Sequence, residues 1–333
     1  MNDFTFIDLF SGIGGFHVAA KELGGKCLFA SDIDNMAQKA YEANYGLIPH
    51  GDITEVDASI IPNHDILLAG FPCQPFSIIG NRLGFDDIRG TLFFEIVRIL
   101  EAKKPSMFVL ENVKQLSTHN KKKTISRILE TLDVLGYKLY WNVLNALDYG
   151  LPQKRERTII VGFLDHSVEF FWPEKVLKYK PLSDILEESV DEKHYASKRI
   201  KDKRHQLHKS KFPLSIWHEN KSGNISSYPF SCALRAGASY NYLLVNGERR
   251  LTPREMLRLQ GFPESFKIVC TDSQTRKQAG NTVPVNMVKA VIKEVLNATS
   301  KAERWKQKNK SGIISTRRIS QKDNIGNQPL ANI

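Results

Sequence analysis

Phe4-Thr5-Phe6-Ile7-Asp8-Leu9-Phe10-Ser11-Gly12-Ile13-Gly14-Gly15 is the stretch on which the fold turns. Residues 4–10 form a largely apolar run, interrupted only by Thr5 and Asp8, which predicts a buried strand. The glycines at 12, 14 and 15 then mark a tight turn, and residues 15–23 continue as a helix. A strand that passes through a glycine turn into a helix is the opening unit of an α/β sheet. Such a turn lets a ligand approach the backbone closely and offers it a helix N-terminus. It is not G-x-G-x-x-G and lacks the Lys-Ser/Thr of a phosphate-binding loop, which weakens nicotinamide and ATP readings. Taken alone it is also compatible with an ordinary tight turn.

The same alternation continues outward from this unit. Strands are predicted at 27–31, 65–69, 106–110, 140–144 and 158–163, with helices at 35–44, 91–103 and 124–135. The pattern is a doubly wound α/β sheet, whose ligands sit beyond the carboxyl ends of the strands. From 164 to 247 the alternation fades, and residues 192–211 carry eight Lys or Arg against Glu192 and Asp202. A second, smaller domain is expected there. Thr252 and Pro253 have the character of an N-cap and first helical residue for a helix reaching Gln260, and residues 283–296 form another helix. After Thr299 the chain is polar, with eight Lys or Arg against Glu303 and Asp323, and is expected to be a mobile tail.

The chain has 333 residues, with 41% hydrophobic and 25% charged, which is ordinary globular usage. Its net charge of +11 favours a polyanionic partner such as nucleic acid, though a solvated basic face would give the same number. No run approaches about 18 apolar residues. The start Met1-Asn2-Asp3-Phe4 lacks the regions of a signal peptide, so a cytoplasmic protein is expected. Four cysteines, Cys27, Cys73, Cys232 and Cys270, lie far apart with no C-x2-C pair, which argues against a zinc site or a disulfide framework.

Several strand ends carry chemistry. Asp32 and Asp34 follow the second strand, where a carboxylate can accept hydrogen bonds from a ribose, and Asp52 could reach an adenine amino group. Each could equally be a helix cap or turn residue. Gly70-Phe71-Pro72-Cys73-Gln74-Pro75 puts a thiol just past a buried strand, with prolines restricting the backbone on both sides. Most cysteines are inert and buried, but a core cysteine would lie within the apolar run. Leu110-Glu111-Asn112-Val113 follows the next strand and offers a carboxyl group whose pKa burial would raise. Gln153-Lys154-Arg155-Glu156-Arg157 adds two guanidinium groups suited to a carbonyl or a phosphate.

In their order along the chain, Phe10 to Gly15, Pro72-Cys73-Gln74, Glu111-Asn112-Val113, Gln153 to Arg157, Arg254-Glu255, Gln260-Gly261-Phe262-Pro263 and Gly280-Asn281 resemble the bacterial cytosine-C5 DNA methyltransferase family. The likeness covers residues 4–164 and 251–296 and is strongest to compact members that methylate GCGC-type sites. The resemblance implies a Rossmann-like S-adenosylmethionine-dependent methyltransferase domain with a smaller target-recognition domain. Its expected bounds are 1–164 for the catalytic domain, 165–247 for target recognition, 248–298 for a return segment whose last helix packs on the catalytic domain, and 299–333 for the tail.

It further implies Cys73 as the nucleophile on cytosine C6, Glu111 at N3 and the exocyclic amine, Arg157 at O2, Arg155 supporting the Cys73 site and Asn112 fixing its loop. Phe10, Gly12, Gly14, Asp32, Ile33, Asp52, Ile53, Pro72, Leu92 and Asn281 would surround S-adenosyl-L-methionine, with S-adenosyl-L-homocysteine as product and no metal. Asp32 stands where a glutamate is common, and Ile33 where an aromatic is frequent. Ile79 and Ala233 depart from relatives that carry polar residues there, so base-gap contacts do not transfer. The implied partner is double-stranded DNA, from which the target base is extruded, and residues 74–90, with Gly80, Gly84 and Gly90, would close over it. A monomer near the nucleoid and a restriction endonuclease sharing the target site complete the expectation. An inactive DNA-binding relative and an RNA cytosine methyltransferase remain the alternatives.

Overall fold

The computed structural model describes residues 3–72 and 92–310. Cys73, Gln74, Ile79 and the expected closing loop lie outside the described residues, as does 311–333. The first half is a regular alternation: β1 (Phe4–Leu9), α1 (Gly15–Lys21), β2 (Gly25–Ser31), α2 (Asn35–Tyr45), β3 (Ile66–Gly70), α3 (Leu92–Lys103), β4 (Met107–Val113), α4 (Lys123–Val134) and β5 (Lys138–Asn145). A two-residue strand, β6 (Gln153–Lys154), precedes β7 (Glu156–Phe163).

Six strands form one sheet in the order β2-β1-β3-β4-β7-β5. β1 pairs in parallel with β2 and β3, and β3 with β4, while β7 runs antiparallel to both β4 and β5. β1 is buried because helices cover both faces of the sheet, as a parallel sheet requires. Its Phe6 packs with Leu68, Val109 and Val161 on one side, while its Ile7 packs with Leu67, Phe108 and Ile160 on the other. The first layer is closed by apolar residues of α1 and the last helix, the second by Ile96, Ile99 and Leu100 of α3 and Ile128 and Leu132 of α4.

The rest of the chain comprises α5 (Lys198–Leu207), β8 (Ile216–Glu219), β9 (Ile225–Tyr228), β10 (Ser231–Cys232), β11 (Leu243–Val245), α6 (Pro253–Gln260), α7 (Asp272–Asn281) and α8 (Val285–Lys310). A three-stranded antiparallel sheet, β11-β8-β9, anchors a second, smaller core with Ile216, Leu243, Met256 and Leu259. β10 instead pairs in parallel with β6 in a separate two-stranded sheet, which ties this part to the segment leading into β7. α6 bridges the two cores, Leu257 facing the larger one and Leu259 the smaller. No helix among the described residues is long and apolar enough to cross a membrane.

Three expectations shift. Glu111 and Asn112 lie inside β4 rather than beyond it, because β7 pairs with that strand as far as Val113. The main core continues past residue 164, since Val168 and Phe170 pack into it. The tail expected to be mobile from 299 is helical to Lys310: Ala302 is buried on the main core, and Lys306 pairs with Asp165 at 2.6 Å.

Candidate active site

Beyond β1 the backbone turns sharply. Phe10 has a φ of 55°, a left-handed conformation that costs about 1–3 kcal/mol in a residue with a side chain. Ser11 donates its N–H to the Ser31 carbonyl at the end of β2, 2.9 Å away. Gly12 donates to Asp32 Oδ2 at 2.7 Å, and the Asp34 N–H donates to Asp32 Oδ1 at 2.8 Å. Both oxygens of Asp32 are therefore oriented by backbone, while burial holds its pKa above the usual carboxylate range. Gly14, with φ of 83°, caps α1. A Cβ there would lie 2.4 Å from the Tyr45 ring, so its lack of a side chain serves packing beneath the turn.

The strand ends enclose a cavity of about 660 Å³, a size suited to a cofactor. Phe10, Gly12, Asp32, Ile33, Asp52, Ile53, Pro72, Leu92 and Asn281 all line it, and so do Glu111, Asn112 and Arg157. Gly14 and Arg155 lie outside its wall. Ile33 is 73% exposed although it faces the cavity, a surface that an apolar ring would cover. Asp52 accepts from Thr54 N and Oγ1 at 2.9 and 2.8 Å, so it caps a short turn as well as facing the cavity. Apolar walls with two oriented carboxylates fit a nucleoside. Asp34 is the N-cap of α2, accepting from Met36 N at 2.9 Å, and pairs with Lys277 at 2.7 Å.

The opposite wall comes from β3, β4 and β7. Glu111 is opposite Ile159 and Val113 is opposite Arg157, which makes Glu111 and Arg157 diagonal neighbours on one face. Arg157 Nε meets Glu111 Oε1 at 2.7 Å, both side chains nearly buried. Burial raises the Glu111 pKa, and the charges of Arg157 and Arg155 only partly offset it. Gly70 pairs with Glu111 across the strands, and a Cβ there would sit in ordinary contact with Glu111 Oε2, 3.4 Å away. Asn112 is buried, donating from Nδ2 to the Phe71 carbonyl at 3.0 Å and accepting from Val113 N at 2.8 Å. That bond holds the backbone two residues before Cys73.

Arg155 is fully buried and donates to three carbonyls: Leu234 at 2.8 Å, Gly280 at 2.9 Å and Thr282 at 2.7 Å. Burial, assisted by the neighbouring Arg157, pushes its pKa down to about 9. Its described contacts thus fasten the turn that carries Asn281 to the segment around Leu234. Gln153 works beside it, accepting from Leu234 N at 3.0 Å and donating to the Leu259 carbonyl at 2.9 Å.

Lys277, Gln278 and Thr282 also line the cavity and were not anticipated from sequence. Lys277 and Gln278 lie on α7 and Thr282 just past its end; α7 has no apolar stripe, and its one local signal is Thr271, which caps it by accepting from Gln274 N at 3.4 Å. Lys277 precedes Asn281 by four residues, about one helical turn, which is the spacing that could have pointed to it.

A profile of C-5 cytosine-specific DNA methylases matches residues 4–297. The chain is 56% identical over 290 residues to the type II methyltransferase M.NgoBI of Neisseria gonorrhoeae, covering 86% of this chain and 91% of that protein. It is 53% identical over 307 residues to the type II methyltransferase M.HaeII of Haemophilus aegyptius, covering 91% of this chain and 96% of the relative. Among solved structures, a DNMT2 mutant from Spodoptera frugiperda matches with a TM-score of 0.71 over 88% of this chain and 99% of its own. At 21% identity that likeness is one of fold.

Proposed function

We propose that this chain, which belongs to the C-5 cytosine-specific DNA methylase family, methylates its target by covalent catalysis from Cys73 on a cytosine flipped out of duplex DNA. The observation that carries this reading is the Arg157–Glu111 pair at 2.7 Å, set in the same cavity as Gly12, Asp32 and Asn281. A carboxyl group held largely buried beside a guanidinium is suited to an amidine edge and its neighbouring carbonyl, which cytosine presents as N3, the exocyclic amine and O2.

Phe10, Gly12, Asp32, Ile33, Asp52, Ile53, Pro72, Leu92 and Asn281 would hold S-adenosyl-L-methionine, which supplies an electrophilic methyl group on a sulfonium. Gly14 would act beneath them by shaping the turn. The Cys73 thiolate adds to cytosine C6, and Glu111 holds N3 and the exocyclic amine, so that electron density moves to C5. Arg157 holds O2, and Asn112 fixes the backbone from which Cys73 acts. Arg155 supports the site by holding the Gly280 and Thr282 carbonyls on either side of Asn281. C5 would then take the sulfonium methyl group, with S-adenosyl-L-homocysteine as the leaving group, after which loss of the C5 proton to water restores the ring double bond and expels the Cys73 thiolate. Residues 74–90 would cover the flipped base, and residues 165–247 would read its sequence context.

M.NgoBI and M.HaeII are type II methyltransferases by name. By that likeness, this chain protects host DNA in a restriction-modification system. We further infer that it acts as a monomer in the cytoplasm, on sites shared with an endonuclease it need not bind. Transfer of labelled methyl from S-adenosyl-L-methionine to unmethylated DNA tests the activity. Bisulfite sequencing of DNA from expressing cells reads the target, GCGC-containing sites first. No transfer to any DNA by folded, cofactor-binding protein refutes the proposal, and preferential transfer to tRNA refutes the substrate.

A further inference from the structure

The densest run of Lys and Arg, residues 192–211, is partly neutralised. Arg204 pairs with Glu219 at 2.7 Å, while His205 and Lys201 engage Glu248 at 2.6 and 3.4 Å. Positive charge is left uncompensated elsewhere. Arg235, Arg250 and Arg276 converge from three segments on Tyr240 and Tyr242. The guanidinium carbons of Arg250 and Arg276 lie 4.7 and 5.0 Å from the Tyr240 ring centre. Those of Arg235 and Arg276 lie 4.9 and 5.8 Å from that of Tyr242.

Among the described residues, no ion pair joins any of these arginines to a carboxylate. Asp272, the acid lining the same hollow, is engaged by Lys193 at 3.0 Å. Neutral groups hold the arginines instead. Arg276 donates to the Ser239 carbonyl at 2.8 Å, and Arg250 donates to the Lys193 carbonyl and to Asn241 Oδ1. Three like charges gathered on two rings repel one another, and a bound anion would relieve that repulsion. The rings and carbonyls also restrict the guanidinium groups in advance, so little ordering remains for a ligand to impose.

The cluster is fastened beside the cavity. Arg155 holds the Leu234 carbonyl, and a Cβ built on Gly280 would fall 2.3 Å from Ala236 N. Only glycine lets the backbone of Arg235 and Ala236 lie against the turn that presents Asn281 to the cavity.

We propose that Arg235, Arg250 and Arg276 form a preorganised clamp for the phosphodiester backbone of the substrate DNA beside the flipped cytosine. The residues of α5 that Glu219 and Glu248 neutralise do not share this role. The assignment rests on the DNA methylation reading above, so wild-type methyl transfer is scored first, on a duplex carrying the site found by bisulfite sequencing. Its absence sinks that reading.

Duplex binding is then measured across a salt series with S-adenosyl-L-homocysteine present. Arg235→Gln, Arg250→Gln and Arg276→Gln should each weaken binding and lower the slope of log affinity against log salt by about 0.9. Arg276→Lys, which keeps the charge, and Lys201→Gln should keep the wild-type slope. Cofactor affinity without DNA should be unchanged in all five. Neutral methylphosphonates flanking the target should lower the wild-type slope by a similar about 0.9 per contact removed, with no variant needed. An unchanged slope with the Gln variants or the methylphosphonate duplex overturns the clamp. So does a loss in Arg276→Lys or Lys201→Gln equal to that in Arg276→Gln.

Discussion

Glu111 is held between two opposing influences. Burial penalises its anion, whereas Arg157 at 2.7 Å and the more distant Arg155 favour it, and burial prevails. If the protonated carboxyl supports N3, the single-turnover rate should decline as pH rises through the raised Glu111 pKa. Glu111→Gln should lower the rate and remove that alkaline decline while DNA binding persists. A Gln variant with an unchanged rate and pH profile would remove Glu111 from the mechanism. Cys73→Ser should abolish turnover, because a hydroxyl is a far weaker nucleophile at neutral pH, while cofactor affinity measured by calorimetry stays near wild type. Near-normal turnover in that variant would refute covalent catalysis. The residue types and spacing were legible in the sequence. That Arg155 turns to three carbonyls was not, because its partners at 234, 280 and 282 come from distant segments.

Helix α6 shows how a motif can serve architecture. Thr252 and Glu255 form a reciprocal capping box, Pro253 occupies the first turn, and Gly261 closes the helix at a φ of 86°. Glu255 is also the hub of a buried pair, meeting Arg249 through two bonds of 2.8 and 2.9 Å and accepting from Glu187 N at 2.8 Å. Removing one charge would strand the Arg249 guanidinium, so Glu255→Gln should destabilise the protein by about 3–5 kcal/mol in urea unfolding. A loss below about 1 kcal/mol, the level of an exposed pair, would contradict this account. Thr252 and Pro253 announced the helix from sequence. α5 and α7 did not announce themselves, because both are polar on most faces and are held by side-chain bonds, such as Arg204 to Glu219 and Gln278 Nε2 to the Met36 carbonyl.

Across the whole molecule, a buried polar cluster set into the apolar core beside the main sheet contributes to its response to acid. His17 is buried against Tyr41, its Nδ1 2.7 Å from the Tyr41 hydroxyl, and stacks on Tyr45. Burial lowers its pKa to about 3 from an unfolded value near 6.5. The unfolded chain therefore binds the extra proton between these values, so this stability is complete above about 6.5 and is lost as pH falls towards 3. Urea unfolding should show up to about 1.4 kcal/mol lost per pH unit from this group within that window, and His17→Gln should flatten the slope by that amount. An unchanged slope would rule out His17 as a source of acid sensitivity. The order of strands and helices, the glycine turn at 12–15 and the thiol, carboxyl and guanidinium residues were determined by local periodicity and composition, which a chain carries along its own length. The antiparallel insertion of β7 between β4 and β5, the extension of α8 beyond Thr299 and the pairing of Glu111 with Arg157 were decided only in the tertiary structure. So was the gathering of Arg235, Arg250 and Arg276 on two tyrosines. Each depends on which distant surface a segment is pressed against, and burial and neighbouring charge then set what its side chains can do.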